Sequence, residues 1–354
     1  MRPQYLLLGA VPLALGAHLL SAEPLLVFVL SIVALAPLSE LLADAGEDLA
    51  VHAGPRFGGL ITTFSGNTPE LVIGVLALQA GLLRLVKASI TGAILANLLL
   101  VLGLGLFVGG LRNGRQYFNR EHAALSATLM VISLIALLVP ALYWALVPDP
   151  DPLMRNAGEV ETLSEAVAAL MLLVYALSVY FSLFWDREGQ IVAGVHHLQA
   201  RRSLRHASGL MLGAMAAFTM VAAVFVASVP LVTARWAISD YFIGIVVVPL
   251  IGSLSSHLVG IESAFRNRAD LTLSVTTGAS IHVVLFVAPT LVFLSLLLGH
   301  PMDLIFSQLE LVSLAAASGV STLVAQDGMS NWLEGAMLVA VYAILALAFY
   351  WVPL

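Results

Sequence analysis

Cysteine is absent from the whole chain, which excludes disulfides, thiolate metal ligands and soft-metal sulfur chemistry. Charge is nearly as scarce. Asp, Glu, Lys and Arg make up only 10% of the 354 residues, and 15 basic against 21 acidic residues give a net charge of −6. With no basic tract, nucleic acid is excluded as a partner class. Three catalytic patterns are also missing: the phosphate-cradling GxxxxGK[ST], the zinc-binding HExxH and the GxSxG nucleophile elbow. The expectation is therefore a protein that is not an enzyme, has no resident cofactor, and draws on an ion gradient for any transport it performs.

What the chain has is apolar surface. At 60% hydrophobic residues and a mean hydropathy of +1.00, it reads as an all-α polytopic membrane protein. A span needs about 20 apolar residues at about 1.5 Å each. About eleven such segments can be marked on that rule: 5–21, 24–43, 58–81, 85–111, 121–147, 163–185, 208–233, 239–264, 271–299, 304–325 and 333–353. Arg2 before an apolar run and the Ser21-Ala22 pair resemble a cleavable signal, but with ten further spans behind it the first is read as a helix of the bundle. The basic residues set orientation. With the N-terminus cytoplasmic, Arg2, Arg56, Arg112, Arg115, Arg120, Arg187, Arg201, Arg202, Arg205, Arg266 and Arg268 fall inside, and Arg84, Lys87, Arg155 and Arg235 outside. Eleven against four is a positive-inside bias, and an odd number of spans places the C-terminus outside.

The two halves of the chain repeat. Adding 186 to a residue number carries Gly58 onto Gly244, Gly66 onto Gly252, Gly74 onto Gly260, Leu85 onto Leu271, Thr91, Gly92 and Ala93 onto Thr277, Gly278 and Ala279, and Leu99 onto Leu285. Each copy holds five spans, so the copies lie in the membrane with opposite topology. The expected organisation is an N-terminal helix at 1–23, a first five-helix repeat at 24–185, a linker at 186–207 and a second repeat at 208–354. Inverted repeats of this kind bind substrate near the midplane, where broken helices meet.

The third span carries Glu70 within GNTPE at 66–70. A carboxylate at membrane depth costs about 3 kcal/mol, so it marks a proton or cation site. Gly66 and Pro69 in that span, and Pro249 and Gly252 in the eighth, are expected to break or loosen the helices. Carbonyls freed there would be available to a cation.

Several separated segments then resemble landmarks of the calcium/proton exchanger branch of the calcium/cation antiporter superfamily. GNTPELVIG at 66–74 resembles that family's first signature, GNAxEL, and TGAILANLLLVLG at 91–103 the segment that follows it. QYFNREHA at 116–123, LLVYALSVYFSLF at 172–184, SDYFIGIVVVPLIG at 239–252, DGMSNWLEG at 327–335 and PLSELL at 37–42 read similarly. The resemblance implies secondary active antiport by alternating access, with calcium and protons as cargo, the lipid bilayer as surroundings, and a prokaryotic cytoplasmic membrane as location. It also exposes a departure. Where the family's second signature reads GNAAEH, this chain reads GSLSSH. Glu70 inherits the role of one central glutamate, while Ser256 stands where the second is expected and carries no charge.

Calcium takes six to eight oxygen ligands, usually with more than one carboxylate. Here Glu70 is the tentative metal ligand, and Asn67, Thr68, Ser253, Ser256 and His257 are the oxygens and nitrogen expected around it. Supporting or alternative ligands are Asn97, His282, Glu262 and Glu310, with Glu40 a further carboxylate. Glu262 stands four residues before Arg266, the order that favours a helical ion pair over a ligand role. His257 and His282 together with Glu70 would suit zinc or manganese, or titrate as proton carriers. Buried histidines more simply donate to helix carbonyls. Asp44, Glu47, Asp48 and His52, with Asp186, Glu188, His196 and His197, could attract cations or regulate transport, and solvated loops explain them as well. Alternatives to calcium are sodium, manganese or zinc, or a transport-inactive regulatory homologue.

Overall fold

A computed structural model describes residues 7–146, 157–184, 201–236 and 238–352. Arg2, Arg155 and Arg187, and most of the 186–207 linker with Asp186, Glu188, His196 and His197, lie outside the described residues.

The chain is built from helices α1 (Ala10–Leu19), α2 (Pro24–Ala53), α3 (Pro55–Gln79), α4 (Leu83–Leu95), α5 (Leu102–Asn113), α6 (Arg120–Leu146), α7 (Ala157–Phe184), α8 (Leu204–Trp236), α9 (Asp240–Phe242), α10 (Val248–Gly252), α11 (Leu254–Phe265), α12 (Ala269–His282), α13 (Ala288–Leu297), α14 (Gln308–Gln326) and α15 (Trp332–Tyr350). Two short strands, β1 (Gln116–Tyr117) and β2 (Met329–Ser330), pair antiparallel with Gln116 opposite Ser330. Local sequence explains several starts. Pro24 opens α2, where a missing N–H costs nothing. Ser307 and Glu310 form a reciprocal capping box at the start of α14.

Among the described residues, eight helices are long and apolar enough to cross a membrane, and nine if the bent pair Asp240–Gly252 and Leu254–Phe265 is one span. Eleven helical segments stand where eleven spans were expected, but length and composition do not carry all of them. The helix expected from 5–21 has only ten residues in α1. In α3 the polar run TTFSGNTPE lowers the apolar content of an otherwise sufficient length of 25 residues.

Among the described residues, π-helical turns interrupt the bundle at Ala96–Val101, Ile243–Val247 and Val283–Val287. Shifting the first by 186 lands on 282–287, so the turn recurs at the same place in the fourth and ninth spans. This is a structural echo of the sequence repeat. Ile243–Val247 has no such counterpart, because the equivalent stretch of α3 is regular α-helix.

The chain divides into two compact units, and each draws on both halves of the sequence. The first comprises Met1–Gly92, Val192–Val259 and Ala346–Leu354. Within it α2 packs along α3 and α8, and α10 rests on α2 and α3. The α2–α3 contact is close: a Cβ on Gly46 would stand 2.2 Å from the Cβ of Ser65, so only glycine lets these helices approach. Near the end of α2, Asp48 is buried and accepts from the Arg201 backbone N–H at 2.7 Å and from Arg202 Nη1 at 2.9 Å. The second unit comprises Ala93–Ile191 and Gly260–Leu345. There α6 packs on α12 and α14, α7 packs on α13, and Gln116 of β1 donates to the Ala264 carbonyl at 2.8 Å.

Candidate cation site

The first unit brings the two signature segments together. Glu70, only 7% exposed, sits on α3, and its Oε1 accepts a hydrogen bond from the hydroxyl of Ser253, which is fully buried. The backbone makes room for this contact. A Cβ on Gly252 would meet Glu70 Cδ at 2.9 Å, Cγ at 3.0 Å and Oε1 at 3.1 Å. The 69° bend between α10 and α11 falls at Ser253, whose φ of −100° and ψ of 17° lie outside the helical region.

Among the described residues, buried polar atoms of this unit without a hydrogen-bond partner include Glu70 Oε2, Asn67 Oδ1 and His257 Nε2. Asn67 and Glu70 are three residues apart and share a face of α3. Asn67 is oriented by its own amide, whose Nδ2 donates to the Thr63 carbonyl at 2.9 Å, leaving its oxygen as the unused end. Buried polar atoms without partners are few in native proteins and call for a ligand, a water or a proton. Glu70 Oε2 and Asn67 Oδ1, on one face of α3, are two acceptor oxygens available to a cation or a proton.

The other expected oxygens are engaged locally. Thr68 donates to the Phe64 carbonyl at 2.7 Å, and Ser256 to the Ser253 carbonyl at 2.8 Å. Ser256 is half-buried and lies in the same turn as Ser253, so it is close to the site without touching Glu70 in this structure.

One expectation about the helix breaks is corrected. Gly66 and Pro69 do not break α3, which runs unbroken from Pro55 to Gln79. Side chains of Thr62, Thr63, Asn67 and Thr68 each donate to the carbonyl four residues back. These bonds turn the polar side chains of α3 back onto their own helix, while the carbonyl that Pro69 leaves without an N–H donor is that of Ser65. Pro249 and Gly252 do precede a break, with Pro249 at the start of α10 and Gly252 at its end.

The alternative ligands are placed elsewhere. His282, Asn97, Glu262 and Glu310 all belong to the second unit. His282, 2% exposed, pairs its Nδ1 with the Tyr175 hydroxyl at 2.9 Å and packs against the rings of Tyr175 and Phe286. Glu262 is bonded to Arg266 at 2.6 Å with its side chain 59% exposed, which is the ion-pair reading. Glu310 accepts from the Ser307 backbone N–H in its capping box. Asn97 is 1% exposed inside the first π-helical turn. Among the described residues no three His, Asp or Glu side chains converge to hold a metal ion.

Two contacts were not anticipated from the sequence. The sequence presents Tyr175 only within LLVYALSVYFSLF. It presents Ser39 only within PLSELL, yet the Ser39 hydroxyl donates to the Gly252 carbonyl at 2.8 Å. A polar residue two positions after Pro37 in an apolar helix is the signal that could have raised it. Glu40, the next residue, is 2% exposed.

The chain is similar to known proteins over nearly its whole length. A family model described as sodium/calcium exchanger protein matches residues 23–184 and 206–351. A Ca(2+)/H(+) antiporter of Aphanothece halophytica is 34% identical, over 98% of this chain and 96% of its own length. The Ca(2+)/H(+) antiporter ChaA of Bacillus subtilis (strain 168) is 32% identical, over 98% of this chain and 97% of its own. The solved structure of native YfkE is 30% identical and superposes with a TM-score of 0.85, covering 99% of this chain and 100% of that one.

Proposed function

The chain belongs to the sodium/calcium exchanger protein family, and from that premise we propose that it is a secondary active antiporter exchanging calcium for protons by alternating access at Glu70. One observation carries the assignment to this site. Glu70 is buried with Oε1 bonded to Ser253 and Oε2 unpartnered, on the same helix face as the unpartnered Asn67 Oδ1. A carboxyl in that setting alternates between two occupants. Protonated, it is neutral and tolerated in a low-dielectric interior; ionised, it needs a cation to offset its desolvation. The relatives named Ca(2+)/H(+) antiporters support calcium and protons as those occupants.

The charge count sharpens this reading. With serine at position 256, the signature segments contribute one carboxylate, and one carboxylate releases one proton as it takes up a cation. We infer that the site moves fewer protons per calcium than a two-carboxylate site, and that a monovalent cation such as sodium competes more effectively. Asn67 and Ser253 supply neutral oxygens, with Thr68, Ser256 and His257 close by in sequence. That set favours oxygen-seeking cations over zinc.

The membrane arrangement follows from the repeat and the arginine distribution. We propose a cytoplasmic N-terminus and an external C-terminus in a prokaryotic cytoplasmic membrane, with an N-terminal helix at 1–23, repeats at 24–185 and 208–354, and a linker at 186–207.

The test is proton movement in sealed proteoliposomes carrying an imposed pH gradient, with calcium, sodium, manganese and zinc added in turn. Calcium is expected to collapse the gradient, and the apparent KM for calcium is expected to rise as pH falls, because a protonated Glu70 cannot ligate a cation. No collapse with any ion, from folded protein, would overturn the proposal in favour of a transport-inactive homologue. A preference for manganese or zinc would overturn the choice of calcium.

A further inference from the structure

Helix α2 contributes to the bend a residue that neither signature contains. Many hydroxyls of the first unit return to a carbonyl on their own helix, as those of Ser31, Thr62, Thr63 and Thr68 do. Ser39 does not. Its hydroxyl crosses to the carbonyl of Gly252 at 2.8 Å, and both residues are buried. Gly252 is the last residue of α10, and its Cα faces the Glu70 carboxyl so closely that a Cβ would lie 2.9 Å from Glu70 Cδ. The next residue, Ser253, stands at the bend and donates to Glu70.

Glycine has the widest backbone freedom of any residue, and on the N–H side the peptide following Gly252 is tied by Ser253 donating to the Pro249 carbonyl at 3.1 Å. That peptide is planar, with the Gly252 carbonyl at one end and the Ser253 Cα at the other. A donor that holds the carbonyl therefore fixes the direction in which Ser253 leaves α10. We propose that Ser39 is a positioning residue for the cation site: by holding the Gly252 carbonyl it keeps the Ser253 hydroxyl aimed at Glu70 and the site preorganised for a cation. The proposal rests on the exchange reading above and adds a third helix to the two that carry the signatures. Ser39 touches no cargo itself, so its loss acts on affinity more than on turnover.

The experiment compares wild type with Ser39→Ala, Ser39→Cys and Ser39→Thr in the full-length protein. It reads calcium-driven proton flux in proteoliposomes, and calcium-dependent elevation of the melting temperature in detergent. Losing one buried hydroxyl–carbonyl bond is expected to raise the KM for calcium about threefold to tenfold in Ser39→Ala, with the maximal rate within about twofold of wild type. Ser39→Cys keeps nearly the same volume with a weak donor and is expected to move in the same direction. Ser39→Thr keeps the hydroxyl and is expected to return KM to near the wild-type value. Should the alanine variant fail to fold, the cysteine and threonine pair decides the question. An unchanged KM in Ser39→Ala or Ser39→Cys overturns the proposal, and so does an equal loss in Ser39→Thr, which would assign Ser39 to packing alone. If wild type moves no protons, the exchange reading falls separately, and the calcium-dependent melting shifts of the four proteins still test the latch.

Discussion

Residues 66–70 and 252–256 occupy equivalent places in the two halves of the chain, yet the first lies on an unbroken helix and the second on a 69° bend. Their glycines show the difference most directly. A Cβ on Gly66 would meet nothing within 4 Å, whereas one on Gly252 would strike the Glu70 carboxyl. The unbroken segment keeps the charge, and its polar side chains bond back along α3. The bent segment has lost the charge at Ser256, and instead supplies a hydroxyl and close backbone approach. One repeat thus provides the ionisable group and the other the cradle that receives it. Two copies of a motif need not remain functionally symmetric once their helices differ.

Four changes break or sharpen that contrast. The largest effect is expected from Glu70→Gln, which keeps the shape and removes the ionisation: calcium-driven proton flux should fall to the background of empty vesicles, while Ser256→Ala retains flux. Next is the pair of glycine substitutions. Gly252→Ala places a methyl against Glu70, and overpacking of about 1–3 kcal/mol corresponds to roughly a 5- to 150-fold loss of calcium affinity. Gly66→Ala, with open space around it and a better helix former, should leave affinity within about twofold of wild type. Calcium titration of flux checks both, and similar losses at the two glycines would dissolve the contrast.

Ser256→Glu restores a carboxylate to the bent segment and makes the repeats alike. The number of protons moved per calcium is expected to rise by about one, since a second buried carboxyl then gains and loses a proton. Without calcium the variant should melt at a lower temperature, because a second buried charge costs about 3 kcal/mol. The smallest effect is expected at Glu262. This carboxylate follows the bent segment by one and a half turns, but it is 59% exposed and paired with Arg266. Glu262→Gln should lower stability by a few tenths of a kcal/mol, about the size of an exposed helical pair, and leave the KM for calcium unchanged. A clear rise in that KM would return Glu262 to the list of ligands.

The membrane class, the order of the helices and the repeat were legible because they rest on local composition and spacing. Long apolar runs with few charges have one stable environment, and a constant offset of 186 between matching residues is visible without coordinates. Glu70 was legible for the same reason, as a costly group in an apolar stretch. Less legible was which helix would bend. Pro69 and Pro249 are equivalent as helix breakers on paper, yet α3 runs on through Pro69 while the helix carrying Pro249 ends at Gly252 and bends. His257 and His282 were equally indistinguishable as candidate ligands. Burial beside Tyr175 separates them, and that contact spans 107 residues of sequence.

The sequence by itself determined that this protein is a repeated bundle of apolar helices with one ionisable group at membrane depth in its first signature, because hydrophobicity and charge act residue by residue. Only the tertiary structure decided what receives that group. The Ser253 hydroxyl, the bare Cα of Gly252 and the reach of Ser39 depend on α2, α3 and the α10–α11 bend meeting within the first unit. Such meetings are set by side-chain volume and close helix packing, which no local pattern records.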